Sequence, residues 1–233
     1  PVTTTYTPNI TPVTPTGTPA STEGIQGSPQ EGTPTFTQGN PVAPIKIDAT
    51  QPAKLVDPTT GKPTDEPTIP AKDATGKQVG TYTIDPTTGK VTFTPNKDFV
   101  GTPVPATVEV KDANGTPATA TYTPTVKPVT PIGKVAFTED IQGATQSGKP
   151  DFEGGKTTVN GKEESVPMDD TVPATFEDGS TTKTIEGQGT YTVAPDGTVT
   201  FVPEKKFSGK GTTLTVIRKD KNGTPARGEY TAV

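Results

Sequence analysis

Apolar and polar residues alternate along several short stretches of this chain. Tyr82 and Ile84 fall on one face of an extended backbone, as do Val91 and Phe93, and threonines occupy the positions between them. An alternation with a period of two residues predicts half-buried β-strands. Since no window of a dozen residues spaces its apolar positions at the helical period of 3.6, the pattern predicts an all-β protein.

Turn-forming residues separate these stretches and predict which strands pair. Asp85-Pro-Thr-Thr-Gly89 lies between the first two strands, and the shorter Ala194-Pro-Asp-Gly197 lies between a second, similar pair. Asn114-Gly115 favours a tight hairpin because both residues tolerate a positive φ. The strand that contains Val108 and Val110 recurs later in the chain, with Leu214 and Val216 alternating in the same way. Arg218 takes the place of Val110 there, and we expect that strand end to be exposed.

The chain contains two copies of one repeat. Gly80-Thr-Tyr-Thr-Ile-Asp-Pro reappears as Gly189-Thr-Tyr-Thr-Val-Ala-Pro, and Lys-Asp-x-Asn-Gly-Thr-Pro occurs in each copy. The two Ile-Gln-Gly motifs are 116 residues apart, whereas Gly80 and Gly189 are 109 apart, so the first copy is seven residues longer between these landmarks. Ile69 is matched with Ile185, which places the extra residues in the polar segment 71–79.

The repeat predicts four segments. Residues 1–16 match the end of a copy and are interpreted as the tail of a preceding repeat or linker. Residues 17–123 and 132–233 are the two modules, predicted to be β-sandwich-like, with short strands and long loops in their first halves. The proline-rich residues 124–131 are predicted to be an extended, semi-rigid linker between them.

Composition narrows the classes of function. The chain is 27% hydrophobic with 28 Pro and 25 Gly, a composition close to that of disordered proteins, but the regular alternation argues against full disorder. It has no Cys and no His, which removes disulfides, thiol nucleophiles, imidazole bases and the usual zinc ligands. The net charge of −5 is dispersed, and no apolar stretch is long enough to cross a bilayer. We predict no enzyme activity, no catalytic, cofactor or metal residue, and no nucleic-acid or membrane contact.

An acidic group in the second copy is the strongest chemical candidate, because carboxylate oxygens are calcium ligands. We favour a solvated acidic face, since a direct count places Ala53 and Lys54 of the first copy opposite two of its aspartates. A pair of glycosidase carboxylates is a weaker alternative, because the chain has no Trp and shows no sign of a cleft. The group comprises Glu163, Glu164, Asp169, Asp170, Glu177 and Asp178.

Three other patterns are better explained as structure. Gly154-Gly-Lys-Thr157 resembles the end of a phosphate-binding loop, but Pro150 stands where that loop requires glycine. Asn114-Gly-Thr116 and Asn222-Gly-Thr224 satisfy the glycosylation sequon, although a hairpin turn is favoured at both. The recurring aromatic residues are interpreted as core side chains and not as a platform for stacking ligands; they are Tyr82, Phe93, Tyr191 and Phe201.

The Gly189–Phe201 string, the Lys-Asp-x-Asn-Gly-Thr-Pro turn and the Val166–Gly179 segment resemble the repeats of streptococcal CshA-type fibrillar surface adhesins. The first copy departs from that pattern between Ile45 and Val79. The resemblance covers nearly the whole chain and implies an extracellular, cell-wall-anchored protein whose repeats form a fibril shaft. It also implies that host binding, including binding to fibronectin, belongs to an amino-terminal region outside this chain.

Two hypotheses of function follow. In the first, the modules are stalk repeats whose partners are neighbouring repeats of the same chain. In the alternative, the repeats themselves bind host matrix, glycan or other bacteria through many weak contacts. An exposed apolar patch present in both copies would favour the alternative, and none is evident in the sequence.

Overall fold

The computed structural model describes residues 1–40, 42 and 45–233 of the chain. Every regular element within those residues is a β-strand, which confirms the all-β prediction. The chain divides into two compact units. Unit 1 comprises Pro1–Gly24, Ser28–Asn96 and Gly101–Thr125, and unit 2 comprises Ile25–Gly27, Lys97–Val100 and Val126–Val233. The predicted linker at 124–131 stays a prediction, although Pro117–Lys127 forms one continuous strand and Val129 is buried.

Among the described residues, eleven strands precede residue 128. One sheet has the order β2-β11-β10-β5-β6, a second has the order β3-β9-β8-β7, and β1 pairs with β4. The strands are β1 (Thr16–Thr18), β2 (Ala20–Ile25), β3 (Gln30–Gly32), β4 (Thr35–Thr37), β5 (Lys54–Asp57), β6 (Lys62–Pro63), β7 (Thr68–Lys72), β8 (Gln78–Ile84), β9 (Val91–Pro95), β10 (Ala106–Lys111) and β11 (Pro117–Lys127).

The second copy repeats this arrangement in unit 2. Its sheets have the orders β13-β23-β22-β18 and β14-β21-β20-β19, with the two-stranded pairs β12-β15 and β16-β17 beside them. The strands are β12 (Ile132–Gly133), β13 (Val135–Thr138), β14 (Gln146–Gly148), β15 (Phe152–Glu153), β16 (Lys156–Val159), β17 (Lys162–Ser165), β18 (Thr175–Phe176), β19 (Thr182–Ile185), β20 (Gly189–Val193), β21 (Val199–Pro203), β22 (Leu214–Lys219) and β23 (Pro225–Ala232).

Each sandwich has its core between the two sheets. Because side chains of a strand point alternately to its two faces, the period-two pattern sends one set of residues inward. In unit 2 the Tyr191 and Phe201 rings stack with centroids 4.3 Å apart, and Phe176 and Val216 of the other sheet belong to the same buried cluster. In unit 1 the Tyr82 and Phe93 rings lie 5.2 Å apart. The β-sandwich prediction is therefore confirmed.

A polar cluster recurs in both copies and joins the two sheets of each sandwich by hydrogen bonds. In unit 2 the Tyr230 hydroxyl lies 2.7 Å from the Thr138 hydroxyl, and Thr138 also donates to Oε1 of Gln146 at 2.5 Å. The Gln146 amide then donates to the Val233 carbonyl at 2.9 Å. Unit 1 has the corresponding bond between Tyr122 and Thr22, also at 2.7 Å. We call this arrangement the tyrosine cluster.

The predicted hairpins are present, but only Gly115 of the Asn114-Gly115 turn has a positive φ, so the expected left-handed conformation of Asn114 is wrong. Ile84 pairs with Val91 across the first loop, and β10 pairs with β11 across Asn114-Gly115. The turn is organised by a residue that sequence reasoning did not single out. Asp112 is 1% exposed, and its Oδ1 accepts hydrogen bonds from the backbone N–H groups of Asn114 and Thr116 at 2.9 and 2.8 Å. The second copy uses its own buried aspartate in the same way.

The matching of Ile69 with Ile185 is wrong. Tyr82 of unit 1 pairs with Ile69, whereas the corresponding Tyr191 pairs with Lys183. The difference in length is therefore distributed over three loops. The first copy has an added strand, β6, that forms a hairpin with β5, the counterpart of β18, and it has a longer turn at 73–77; the second copy has an added β16–β17 hairpin. All three are surface turns, where insertions disturb the core least.

The expectation that the strand end at Arg218 is exposed is also wrong, since Arg218 is only 8% exposed. Leu214, Val216 and Arg218 all face inward because the alternation of β22 continues to the end of the strand. The guanidinium donates to Oδ1 of Asp170 at 2.7 Å, so the buried cation is paired with a carboxylate that is itself exposed.

Candidate functional site

The acidic residues of the second copy do not converge on one point. Most of them face a different basic partner, and within the described residues no group of three or more metal-binding side chains is placed to hold an ion. The ion pairs are Glu163 with Lys156 at 3.2 Å, Asp169 with Lys221 at 2.9 Å, Asp170 with Arg218 at 2.7 Å, Asp178 with Lys183 at 2.9 Å, and Glu177 with Arg227.

Two of these carboxylates stabilise turns. The Thr171 hydroxyl and the Lys221 ammonium hydrogen-bond to Asp169 and hold its pKa well below the usual range. The Ser180 hydroxyl and Lys183 do the same for the pKa of Asp178. Both carboxylates therefore stay ionised in the folded protein and accept hydrogen bonds from residues two positions further along the chain, as aspartate does in many turns.

The direct count that aligned Asp169 with Ala53 is wrong, because the β16–β17 hairpin shifts the register of the two copies. The backbone N–H of Asp169 donates to the Lys219 carbonyl at 2.8 Å, and that of Asp48 donates to the Lys111 carbonyl at 2.9 Å. Asp48 is thus the counterpart of Asp169. Since this aspartate occurs in both copies, it is explained by the turn and not by a site peculiar to the second copy.

The Gly154-Gly155 pair is explained by close packing of the backbone. A Cβ atom on Gly154 would lie 2.2 Å from the Val166 carbonyl oxygen, and one on Gly155 would lie 2.5 Å from the Thr130 carbonyl oxygen. Real Cβ atoms do not approach so closely, so glycine is required at both positions. The segment that follows is β16, a strand that pairs with β17, whereas a phosphate-binding loop leads into a helix.

The recurring aromatic residues are core side chains, as the sequence predicts. Tyr82 is 2% exposed, and Phe93, Tyr191 and Phe201 are 0% exposed. Burial raises the pKa of Tyr82 above its usual value and raises the pKa of Tyr191 to about 12. These rings are therefore closed to stacking ligands.

Unit 1 has a largely apolar cavity of about 260 Å³. Its lining includes Val56, Ile69, Pro70 and Tyr82. The Tyr82 hydroxyl is already engaged, because it donates to the Val104 carbonyl at 2.8 Å. In the second copy a lysine takes the place of Ile69, so the apolar wall is not repeated there.

Large exposed apolar side chains also differ between the copies. Val135 and Phe137 on β13 are 66% and 74% exposed. Thr22 and Thr138 are matched by their bonds to the cluster tyrosines. The residues that then correspond to Val135 and Phe137 in the first copy are Pro19 and Ser21. This patch is therefore absent at the corresponding places of the first copy.

Comparison with known proteins identifies the repeat. A family model described as the surface adhesin CshA repetitive domain matches residues 12–126 and 128–233. Among solved structures, the NMR structure of repeat domain 13 of the fibrillar adhesin CshA from Streptococcus gordonii is 64% identical in sequence, with 28% of this chain and 85% of that chain covered and a TM-score of 0.18.

Two further structures match with low identity and low TM-scores. The I9-I11 tandem from titin is 9% identical, covering 94% of this chain and 67% of that chain, with a TM-score of 0.31. Mouse cadherin-23 EC22-24 is 15% identical, covering 94% of this chain and 63% of that chain, with a TM-score of 0.30. Among curated proteins, none matches the chain.

The part of the chain that the structure describes holds no helix long and apolar enough to cross a membrane. Membership of a surface adhesin repeat family indicates an extracellular or cell-surface location and a role in a surface fibril, and an all-β adhesin repeat is not enzyme-like. Both family matches cover almost a whole copy of the repeat, and together they span nearly the full chain. The chain belongs to the family of surface adhesin CshA repetitive domains and carries two tandem copies of that repeat.

Proposed function

We propose that the two modules are stalk repeats, which act as spacers and hold an adhesive tip away from the cell wall. In this proposal the tip and the wall anchor belong to other regions of the parent protein. The partners of each module are then neighbouring repeats of the same chain. The function lies in the length and cohesion of the fold and requires no catalytic residue.

The observation that carries the proposal is the pairing of the first and last long strands of unit 2. β13 and β23 are neighbours and run parallel, with Val135 opposite Glu229 and Thr138 opposite Ala232. When a chain is pulled from both ends, a parallel pair of terminal strands is loaded along its length. All of its backbone hydrogen bonds must then fail together, which resists extension better than the one-by-one opening of a hairpin.

A second observation supports spacers over binding repeats. The copies share their core and the tyrosine cluster but differ in their exposed features. The cavity wall at Ile69 is found in the first copy, and the exposed Phe137 in the second. A site that gains avidity from many copies needs the same residues in each copy, whereas a spacer needs only the same scaffold.

Solution X-ray scattering tests the proposal. A compact globule of this length has a radius of gyration of about 17 Å, whereas two modules in line with centres about 35 Å apart have about 22 Å. We expect the larger value, with a β-type circular dichroism spectrum from the same sample. A value near that of the globule, or specific binding of matrix protein by this chain at the level of an intact fibril, would contradict the stalk function.

The cavity of unit 1 gives the binding alternative one specific feature. Its apolar walls and volume suit a small apolar group more than a sugar. Ligand-observed NMR with fragment mixtures checks this alternative. Ile69→Lys, which copies the residue of the second copy, is the matched variant expected to abolish any signal from the cavity.

A further inference from the structure

The Ile-Gln-Gly turn that opens the first copy is buried within unit 2. Ile25 is 3% exposed and forms one apolar cluster with Val129, Val159 and Val166. None of these three valines is in the larger core cluster of unit 2. The contact with Ile25 therefore closes a separate, small apolar surface.

Gln26 adds specific hydrogen bonds to this contact. Its backbone N–H donates to the Lys127 carbonyl at 2.9 Å, and its side-chain amide donates to the Lys97 carbonyl at 3.0 Å. Its Oε1 accepts from the N–H of Val129 at 3.4 Å, and its carbonyl accepts from the Asn222 amide at 2.9 Å. A side chain only 8% exposed with both of its polar atoms satisfied fixes the geometry of the contact as well as stabilising it.

The same turn occurs in the second copy as Ile141-Gln142-Gly143, and there it is uncovered. Ile141 is 80% exposed, and Gln142 and Gly143 are exposed as well. The backbone is already in the required shape, because Gly27 and Gly143 have φ angles of 80° and 84°. The turn is therefore formed before it meets any partner.

The surroundings of the two turns also match. Gln30 and Gln146 follow each turn and donate to the carbonyls of Thr125 and Val233 at 3.0 and 2.9 Å. A lysine also lies near each turn. Lys97 donates to the Lys221 carbonyl at 3.2 Å beside the Gln26 contact, and its counterpart in the second copy is the exposed Lys205.

We propose that Ile141–Gly143 is a docking turn for another copy of this repeat. The receiving surface on that copy consists of the residues that correspond to Val129, Val159, Val166 and Asn222. The proposal rests on the stalk function and names the contact by which one repeat recognises the next. Another copy is the occupant because the surface that buries the identical Ile25 turn belongs to the second copy of the repeat. Val159 of that surface stands on the β16–β17 hairpin, so the receiving copy must carry this hairpin, which is not among the described strands of the first copy.

The proposal is tested with an extended chain, in which residues 1–233 are followed directly by a second copy of residues 126–233. We expect the amides of the added residues that correspond to Val129 and Val159 to exchange with solvent at least tenfold more slowly than in Ile141→Ser of the same extended chain. In the chain of residues 1–233, Ile141→Ser is expected to change neither the exchange rates of unit 2 nor its melting temperature.

Two controls make the result specific. Val135→Ser in the extended chain removes a similarly exposed apolar residue outside the docking turn and should leave the exchange rates unchanged. Ile25→Ser in residues 1–233 should accelerate exchange at Val129, since that contact exists already.

A crosslink gives an answer even where the serine variants destabilise the chain. The protein has no cysteine, so a cysteine at Gln142 and one at the added copy's counterpart of Asn222 form a unique pair. We expect a bismaleimide to join them as efficiently as it joins cysteines at Gln26 and Asn222.

The proposal is overturned if the extended chain is folded, Ile141→Ser leaves all exchange rates unchanged and the new pair fails to crosslink. The scattering test of the stalk function is independent of that outcome, because it is made on residues 1–233 without the added copy.

Discussion

The tyrosine cluster of unit 2 offers a sharp test of how the two sheets are held together. Tyr230→Phe removes one hydroxyl from a side chain that is 0% exposed and leaves the ring in place. The edge contact with the Tyr191 ring, at a centroid distance of 6.5 Å, is kept. Any change in the free energy of unfolding therefore reports on the hydroxyl and its bond to Thr138.

The expected magnitude follows from what remains after the substitution. Thr138 still donates to Gln146, so Tyr230→Phe leaves no buried donor of this cluster unpaired and costs about 1 kcal/mol. Thr138→Val strands both the Tyr230 hydroxyl and the Gln146 carbonyl oxygen and should cost about 2–3 kcal/mol. In the Thr138→Val background, Tyr230→Phe removes a stranded hydroxyl and should be neutral or stabilising.

Calorimetric melting of the four chains in this double-mutant cycle measures the effect, and about 1 kcal/mol corresponds to about 4 °C for a domain of this size. Tyr191→Phe is the matched control, because the buried Tyr191 hydroxyl forms no well-aligned hydrogen bond among the described residues and has only a weak contact with the backbone of Thr212. It should cost less than Tyr230→Phe. If Tyr230→Phe costs the same with and without Thr138, the bond between the two hydroxyls is not the source of stability and the reasoning fails.

Three further predictions concern the same unit. Gly148→Ala places a Cβ atom 2.7 Å from the Tyr230 ring and should lower the melting temperature of unit 2 by several degrees, as measured by circular dichroism, whereas Ser147→Ala should not. Arg218→Val copies the residue of the first copy, removes a buried cation and leaves the exposed Asp170 solvated, so denaturant titration should show unchanged or higher stability. Burial raises the pKa of Tyr191 from 10.0 to about 12, so the unfolded chain ionises before the folded one. The free energy of unfolding should be constant up to about pH 10 and fall above it, by up to about 1.4 kcal/mol per pH unit for each such tyrosine. Urea titrations at pH 8 and 11 check this, and equal midpoints would contradict it.

The strands that sequence reasoning placed correctly are those with a turn signal between them. The β8–β9 and β10–β11 hairpins are local, and their registers follow from the loop residues and the period-two pattern. The error at Ile69 has a different origin. The match of β7 with β19 depends on one shared isoleucine, and no turn motif lies between the strands to fix the alignment. The counterpart of Ile69 is Lys183. Insertions on both sides of a short edge strand cannot be located from spacing alone.

The buried aspartates at 112 and 220 were within reach of the sequence. Aspartate two residues before Asn-Gly and four before Thr is a pattern in which the carboxylate accepts successive backbone N–H groups. The Asn-Gly dipeptide by itself does not reveal this role of the aspartate. Arg218 was not within reach, because its burial depends on Asp170, a residue 48 positions away whose approach only the folded chain reveals.

The two Ile-Gln-Gly turns differ in burial, a difference that their sequences do not reveal. The two turns have the same sequence and the same backbone shape, yet Ile25 is 3% exposed and Ile141 is 80% exposed. An exposed isoleucine gains little for its own unit, since it removes no apolar surface from water. Its presence in the second copy is explained if each repeat carries a contact meant for another repeat. The stability of such an array would then be shared between neighbours, and a single pair of modules would underestimate it.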